Sequence, residues 1–133
     1  MRVRPFRLAV QALVLGIGLV AATAAGAFER LAFTNAALTW AREQGTYIVF
    51  IHADGCTTCQ AQDRVLERLA DDPRLANLRI VVVDYDTQTH IMRFFNAPDR
   101  STFIVFNGET EVRRISGVTD LEAIQQLLLA AAN

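Results

Sequence analysis

The run Tyr47-Ile48-Val49-Phe50-Ile51 is apolar at every position and leads through a short polar turn, His52-Ala53-Asp54-Gly55, into Cys56-Thr57-Thr58-Cys59. A strand that is apolar on both faces belongs in the middle of a sheet covered on both sides. Beyond the cysteines, Ala61, Val65, Leu66 and Leu69 recur at helical spacing. The pattern predicts a helix from about Cys56 to Asp71 with these four side chains inward, ended by Pro73. Strand, turn, dithiol and helix in this order set the centre of the fold and the place where chemistry can occur.

The positions of the two sulfurs suggest what that chemistry is. A cysteine at the first turn of a helix meets unpaired backbone N–H groups and the positive end of the helix dipole, which favour thiolate over thiol. A second cysteine three residues on lies on the same face and can close a disulfide with the first. Cys56 is therefore the expected attacking sulfur and Cys59 the expected resolving one. A structural zinc site would need a second pair of ligands, and the chain holds no further cysteine and only His52 and His90. The alternative from another class is a metal-handling protein in which Cys56, Cys59 and His52 hold a soft ion such as copper(I). No methionine or further histidine lies close in sequence to the dithiol to support it. A docking module without turnover is a third possibility, disfavoured by the presence of both cysteines.

Composition narrows the partners. Arg2, Arg4 and Arg7 precede an almost continuously apolar stretch from Leu8 to Ala25, and Ala25-Gly26-Ala27 supplies small-x-small. Residues 1–27 read as a signal peptide, with 28–133 as the mature domain; the competing reading is an uncleaved N-terminal anchor. Either places the domain in an exported, oxidising compartment. Without residues 1–27, ten arginines face fourteen acidic residues, a net of about −4, which argues against nucleic acid as a partner. All thirteen basic residues are arginine, so a lysine-assisted proton transfer is excluded. No cofactor is implied.

Along the rest of the chain, Thr34 reads as the N-cap of a helix through Ala36, Ala37, Leu38, Trp40 and Ala41, stopped at Gly45. Trp40 is expected to pack rather than to contact a ligand. Arg79 to Tyr85 is a second buried strand, parallel to the first through a right-handed crossover. Thr87 to Asn96 reads as a helix with Ile91, Phe94 and Phe95 on one face and His90 in solvent. Ser101 to Phe106 is a third strand, and Asn107-Gly108 turns it into Thr110 to Ile115. Thr119-Asp120-Leu121-Glu122 reads as a capping box for a last helix with Leu121, Ile124, Leu127 and Leu128 inward.

Two parallel strands, a hairpin and a C-terminal helix, with Cys-x-x-Cys at the end of a buried strand, resemble the thioredoxin fold over residues 31–131. The expected class is α/β, a central mixed sheet of four to five strands flanked by helices on both faces. The chain is similar to the small exported bacterial thioredoxin-like thiol-disulfide oxidoreductases. The resemblance implies a periplasmic location, Cys56 as nucleophile, Cys59 as resolver, protein disulfides or dithiols as substrates, and a membrane-embedded thiol reductase as electron donor. It implies substrate contacts at Gly55, Thr57, Thr58, Ser101 and Thr102. Four usual family features are replaced. Gly55 stands for the tryptophan before the first cysteine, Thr57-Thr58 for Gly-Pro between the cysteines, Phe50 for a buried acid, and Ser101 for a cis-proline. Without that acid, Cys59 is expected to deprotonate through water, His52 or Asp54. Cis costs about 0.5–1 kcal/mol before proline but about 2.5–4 before other residues, so the Arg100–Ser101 bond is expected to be trans. Ser101 should approach the sulfurs with a hydroxyl, and Ser101→Pro should leave the domain folded.

Overall fold

The computed structural model describes residues 28–133; the expected signal segment lies outside them. Five strands form one mixed sheet in the order β1-β3-β2-β4-β5: β1 (Glu29–Ala32), β2 (Thr46–His52), β3 (Arg79–Asp84), β4 (Thr102–Asn107) and β5 (Thr110–Ser116). β3 runs parallel to both β1 and β2, whereas β4 is antiparallel to β2 and β5. The apolar run of β2 is the centre of the sheet, with Tyr47 to Ile51 fully shielded between β3 and β4. Its side chains alternate between two cores.

On one face, Ile48 and Phe50 pack with Val65, Leu66 and Leu69 of α2 (Thr57–Leu69) and Ile124, Leu127 and Leu128 of α4 (Leu121–Ala132). On the other, Tyr47, Val49 and Ile51 meet Leu38 and Ala41 of α1 (Asn35–Glu43) and Met92 of α3 (Thr89–Phe94). This is the expected α/β architecture, with a fifth strand at Glu29–Ala32. Among the described residues no helix is long and apolar enough to cross a membrane.

Local signals fall close to their expected places. Thr34 caps α1 by accepting the Ala37 N–H at 2.9 Å, and Gly45 follows that helix at φ +102°, a conformation that suits glycine. The β4–β5 turn is shifted by one residue: Asn107 pairs with Thr110, leaving Gly108 and Glu109 as the loop. Gly108, at φ +59°, takes the first loop position, where a two-residue hairpin needs left-handed backbone.

Three inward faces differ in detail from expectation. In α2, Gln62 is fully buried while Ala61 is only half-buried. In the short α3, Met92 and the following Phe95 turn inward and Phe94 remains 65% exposed. The cap of α4 is Asp120 rather than Thr119: its carboxylate accepts the Ala123 N–H at 2.8 Å. Asp120 suits this as well as threonine does, and starting one residue later leaves Leu121 half-buried. Trp40 lies at the surface beneath the Arg79 guanidinium, 4.7 Å from its carbon to the ring centroid, and His90 is exposed.

Candidate active site

The end of β2 carries the chain over the C-terminal edge of the parallel strands and delivers Cys56 as the N-cap of α2. Its Sγ accepts the backbone N–H of Cys59 at 3.1 Å, so the sulfur itself satisfies one of the helix's unpaired amides. Cys56 is 4% exposed and Cys59 fully buried; together with Ala53 they form a small cluster against Tyr85. The two thiols are free.

Burial pushes the Cys56 thiol up, but hydrogen bonds from the Cys59 thiol, the Ser101 hydroxyl and the Cys59 N–H, with the nearby Arg100 charge, outweigh it and hold the group below the ordinary thiol value. Cys59 goes the other way. Burial raises it, and its bond to Cys56 raises it further. One thiol is thus biased toward the anion and its neighbour toward the proton-bearing form, as an attacking and a waiting sulfur should be.

Ser101 lies directly against both. Its Oγ is 3.1 Å from Cys56 Sγ and 3.2 Å from Cys59 Sγ. No cis peptide bond occurs among the described residues, so the Arg100–Ser101 bond is trans. Ser101 instead adopts left-handed backbone, φ +61°, held by its N–H donating to Ile51 O at 2.8 Å and its C=O accepting from Gly117 N–H at 2.9 Å. Proline could not take this conformation, because its ring holds φ near about −65° and it has no N–H for Ile51. The expectation that Ser101→Pro leaves the domain intact does not hold for this backbone.

The other expected site residues divide. Gly55 and Thr57 are exposed beside Cys56, and Thr58 is half-buried on the first turn. The Thr102 hydroxyl serves the loop rather than the sulfurs, donating to Asp99 O at 3.0 Å and meeting Ser116 Oγ at 2.9 Å. His52 and Asp54, expected to handle protons, make no hydrogen bond to either sulfur. His52 Nε2 is 2.7 Å from Asp63 Oδ2, its Nδ1 faces Asp54 at 3.8 Å, and Arg30 closes the group on Asp63 Oδ1 at 2.8 Å. Asp54 is exposed. The copper-holding set of Cys56, Cys59 and His52 is not assembled: no group of three His, Cys, Asp or Glu side chains able to hold a metal ion occurs among the described residues.

Two participants escaped the sequence reading. Gln62 donates through Nε2 to Ser101 O and to Val118 O, both at 3.0 Å. Its spacing from Cys59 and Val65, three residues either way, marks it as inward-facing, but a polar residue there reads as surface. Arg100 adds positive charge beside Cys56, and its guanidinium carbon lies 5.7 Å from the Tyr85 ring centroid. Only its adjacency to Ser101 could have pointed to it.

Phe50 is the residue that the resemblance sets where a buried acid is usual. It is fully buried and stacks on Phe103, its cross-strand partner, with ring centroids 4.2 Å apart and planes 19° from parallel.

The thioredoxin family model matches residues 30–130, nearly all of the described chain. The chain belongs to the thioredoxin family. Among solved structures it is similar to Trxlp from Edwardsiella tarda EIB202, at 32% identity and a TM-score of 0.71, covering 75% of this chain and 98% of that one. Malassezia sympodialis thioredoxin (Mala s 13) superposes with a TM-score of 0.68 at 17% identity, over 80% of this chain and 95% of its own. The oxidised thioredoxin from Plasmodium falciparum gives 0.65 at 18%, over 80% of this chain and 99% of its own. These last two likenesses show the fold alone. No curated protein matches the chain significantly. With Cys-x-x-Cys at the start of α2, this thioredoxin-family member is a thiol-disulfide oxidoreductase.

Proposed function

We propose that this oxidoreductase is exported, works on protein disulfides as a reductant, and is recharged by a membrane-embedded thiol reductase. Cys56 is the nucleophile and Cys59 the resolver. The observation that carries the assignment is Cys56 Sγ standing as the N-cap of α2 with the Cys59 amide on it, which favours a thiolate at Cys56, itself only 4% exposed, with Cys59 fully buried beside it. The exposed Gly55 and Thr57 form the rim a substrate chain would meet, with Thr58 and Ser101 behind them. Export rests on the arginine-flanked apolar stretch and Ala25-Gly26-Ala27. In an oxidising compartment a reducing dithiol needs an outside source of electrons, and a membrane reductase is the source that can carry them across.

Expressing the full chain in bacteria with and without a thiol reductase in the membrane, then trapping thiols in acid, tests both parts. The expected product begins at Phe28, is released with the exported fraction, and holds Cys56 and Cys59 reduced only when the reductase is present. Full-length chain retained in the cytosol contradicts export. Thiols that stay reduced without the reductase contradict the electron source.

A further inference from the structure

Resolution requires the buried Cys59 thiol to lose its proton as it attacks, and the usual acceptors are absent. Phe50 stands fully buried where the resemblance implies an acid, and the chain has no lysine. His52 is engaged with Asp63 and Asp54 faces solvent. Apart from Cys56, the side-chain atom within hydrogen-bond distance of Cys59 Sγ among the described residues is Ser101 Oγ, at 3.2 Å. The same oxygen is 3.1 Å from Cys56 Sγ, the atom that carries the substrate in the mixed disulfide.

We infer that the Ser101 hydroxyl is the proton-transfer group of the resolving step and that Gln62 is the residue that positions it. The inference rests on the oxidoreductase reading. A hydroxyl donates and accepts at once. As the Cys59 sulfur forms its bond to Cys56 Sγ, its proton passes to Ser101 Oγ. The bond between Cys56 Sγ and the substrate sulfur breaks with its electron pair going to the substrate, which takes the proton Ser101 held. The products are the Cys56–Cys59 disulfide and a substrate thiol, with Cys59 oxidised, the substrate reduced and Ser101 unchanged.

Gln62 explains how the hydroxyl is kept there. Ser101 sits in left-handed backbone that a non-glycine residue adopts only when its surroundings hold it. Gln62, on the buried face of α2, ties the Ser101 carbonyl and the Val118 carbonyl to the helix that bears the sulfurs. Its Oε1 is buried with no hydrogen-bond partner among the described residues. A buried carboxamide with an unpaired oxygen is disfavoured against an apolar side chain of that size, and what sets Gln62 apart is that its two N–H groups fasten the loop.

The test follows the decay of a mixed disulfide made by mixing reduced protein with glutathione disulfide, quenched in acid and weighed, across pH. Ser101→Gly removes the hydroxyl and suits the positive φ, so the fold is kept. Decay is expected to slow about 10²-fold at neutral pH, the contribution of a positioned proton-transfer group. The deficit should shrink as pH rises and solvent deprotonates Cys59 directly. Arg100 before β4 and Tyr85 after β3 face the pair in both proteins, but removing the hydroxyl also takes away a hydrogen bond that lowers both thiols. Each rate is therefore divided by the Cys59 thiolate fraction read from ultraviolet absorbance in the same protein, and the deficit that remains belongs to proton transfer. Gln62→Leu should slow decay with the same pH signature, yet add little in the Ser101→Gly background, because both changes act through one hydroxyl. Unaltered decay in Ser101→Gly, or a slowing equal at every pH, overturns the hydroxyl's role. Additive effects overturn the positioning role of Gln62. A wild-type protein that forms no mixed disulfide overturns the oxidoreductase reading and this inference with it.

Discussion

Replacing Cys56 by serine is expected to abolish disulfide exchange, while replacing Cys59 by serine should leave attack intact and arrest the reaction as a mixed disulfide. The asymmetry follows from the site. Cys56 Sγ is the sulfur that caps α2, accepts the Cys59 amide and is biased toward the thiolate. Cys59 is fully buried and biased toward the thiol. A serine hydroxyl is far too weak a nucleophile at neutral pH to substitute for a thiolate without a strong base beside it. At position 59 the loss removes only the second displacement, so the covalent complex accumulates. The check is a non-reducing gel with mass analysis after mixing each variant with a disulfide-bonded protein. Exchange surviving in Cys56→Ser would reassign the nucleophile to Cys59, and Cys59→Ser that accumulates no complex would contradict the resolving role.

The second large effect concerns Phe50, where the resemblance implies a buried acid. Restoring a carboxylate with Phe50→Asp should not recover the family's proton handling; it should cost this domain much of its stability. Phe50 has no exposed surface and stacks on Phe103 inside the core shared with α2 and α4. Emptying a buried phenylalanine site costs about 3–5 kcal/mol. An isolated carboxylate in the vacated space adds a desolvation penalty. The cation at hand, Arg30, lies 5.9 Å from the Phe50 ring centroid and is already paired with Asp63. Against a total stability of about 5–15 kcal/mol for an ordinary domain, such a loss brings the protein to the edge of unfolding. Urea denaturation measures it, with Phe50→Leu, which keeps the site apolar, expected to lose less. A Phe50→Asp variant unfolding at the wild-type midpoint would mean that the site accepts an acid after all.

The contrast between Phe50 and Ser101 shows what was legible in the sequence. The run from Tyr47 to Ile51 and the helical spacing after Cys59 are local patterns, and local patterns suffice to place a central strand, a following helix and a dithiol between them. Proximity of Ser101 to the sulfurs followed from the family resemblance, since it joins residues 42 and 45 apart in the chain. The left-handed backbone of Ser101 could not be read, because it is stabilised by Ile51, Gly117 and Gln62, none adjacent to it in sequence. Gln62 was missed because hydrophobic periodicity finds inward positions by their apolar side chains. The same limit put Phe94 inward in α3, a helix too short to bury it together with Met92 and Phe95. The His52–Asp63–Arg30 group links the end of β2 with α2 and β1, a meeting created by the sheet order rather than by spacing along the chain.

The measurement that tests the account most directly is redox titration of the purified mature domain against glutathione, with each cysteine's state read by mass after acid quenching. A thiol-disulfide oxidoreductase built on this site should show one reversible two-electron transition between free Cys56 and Cys59 thiols and a disulfide joining them. Cysteines that instead titrate separately, each ending as a glutathione adduct with no bond between them, would contradict it.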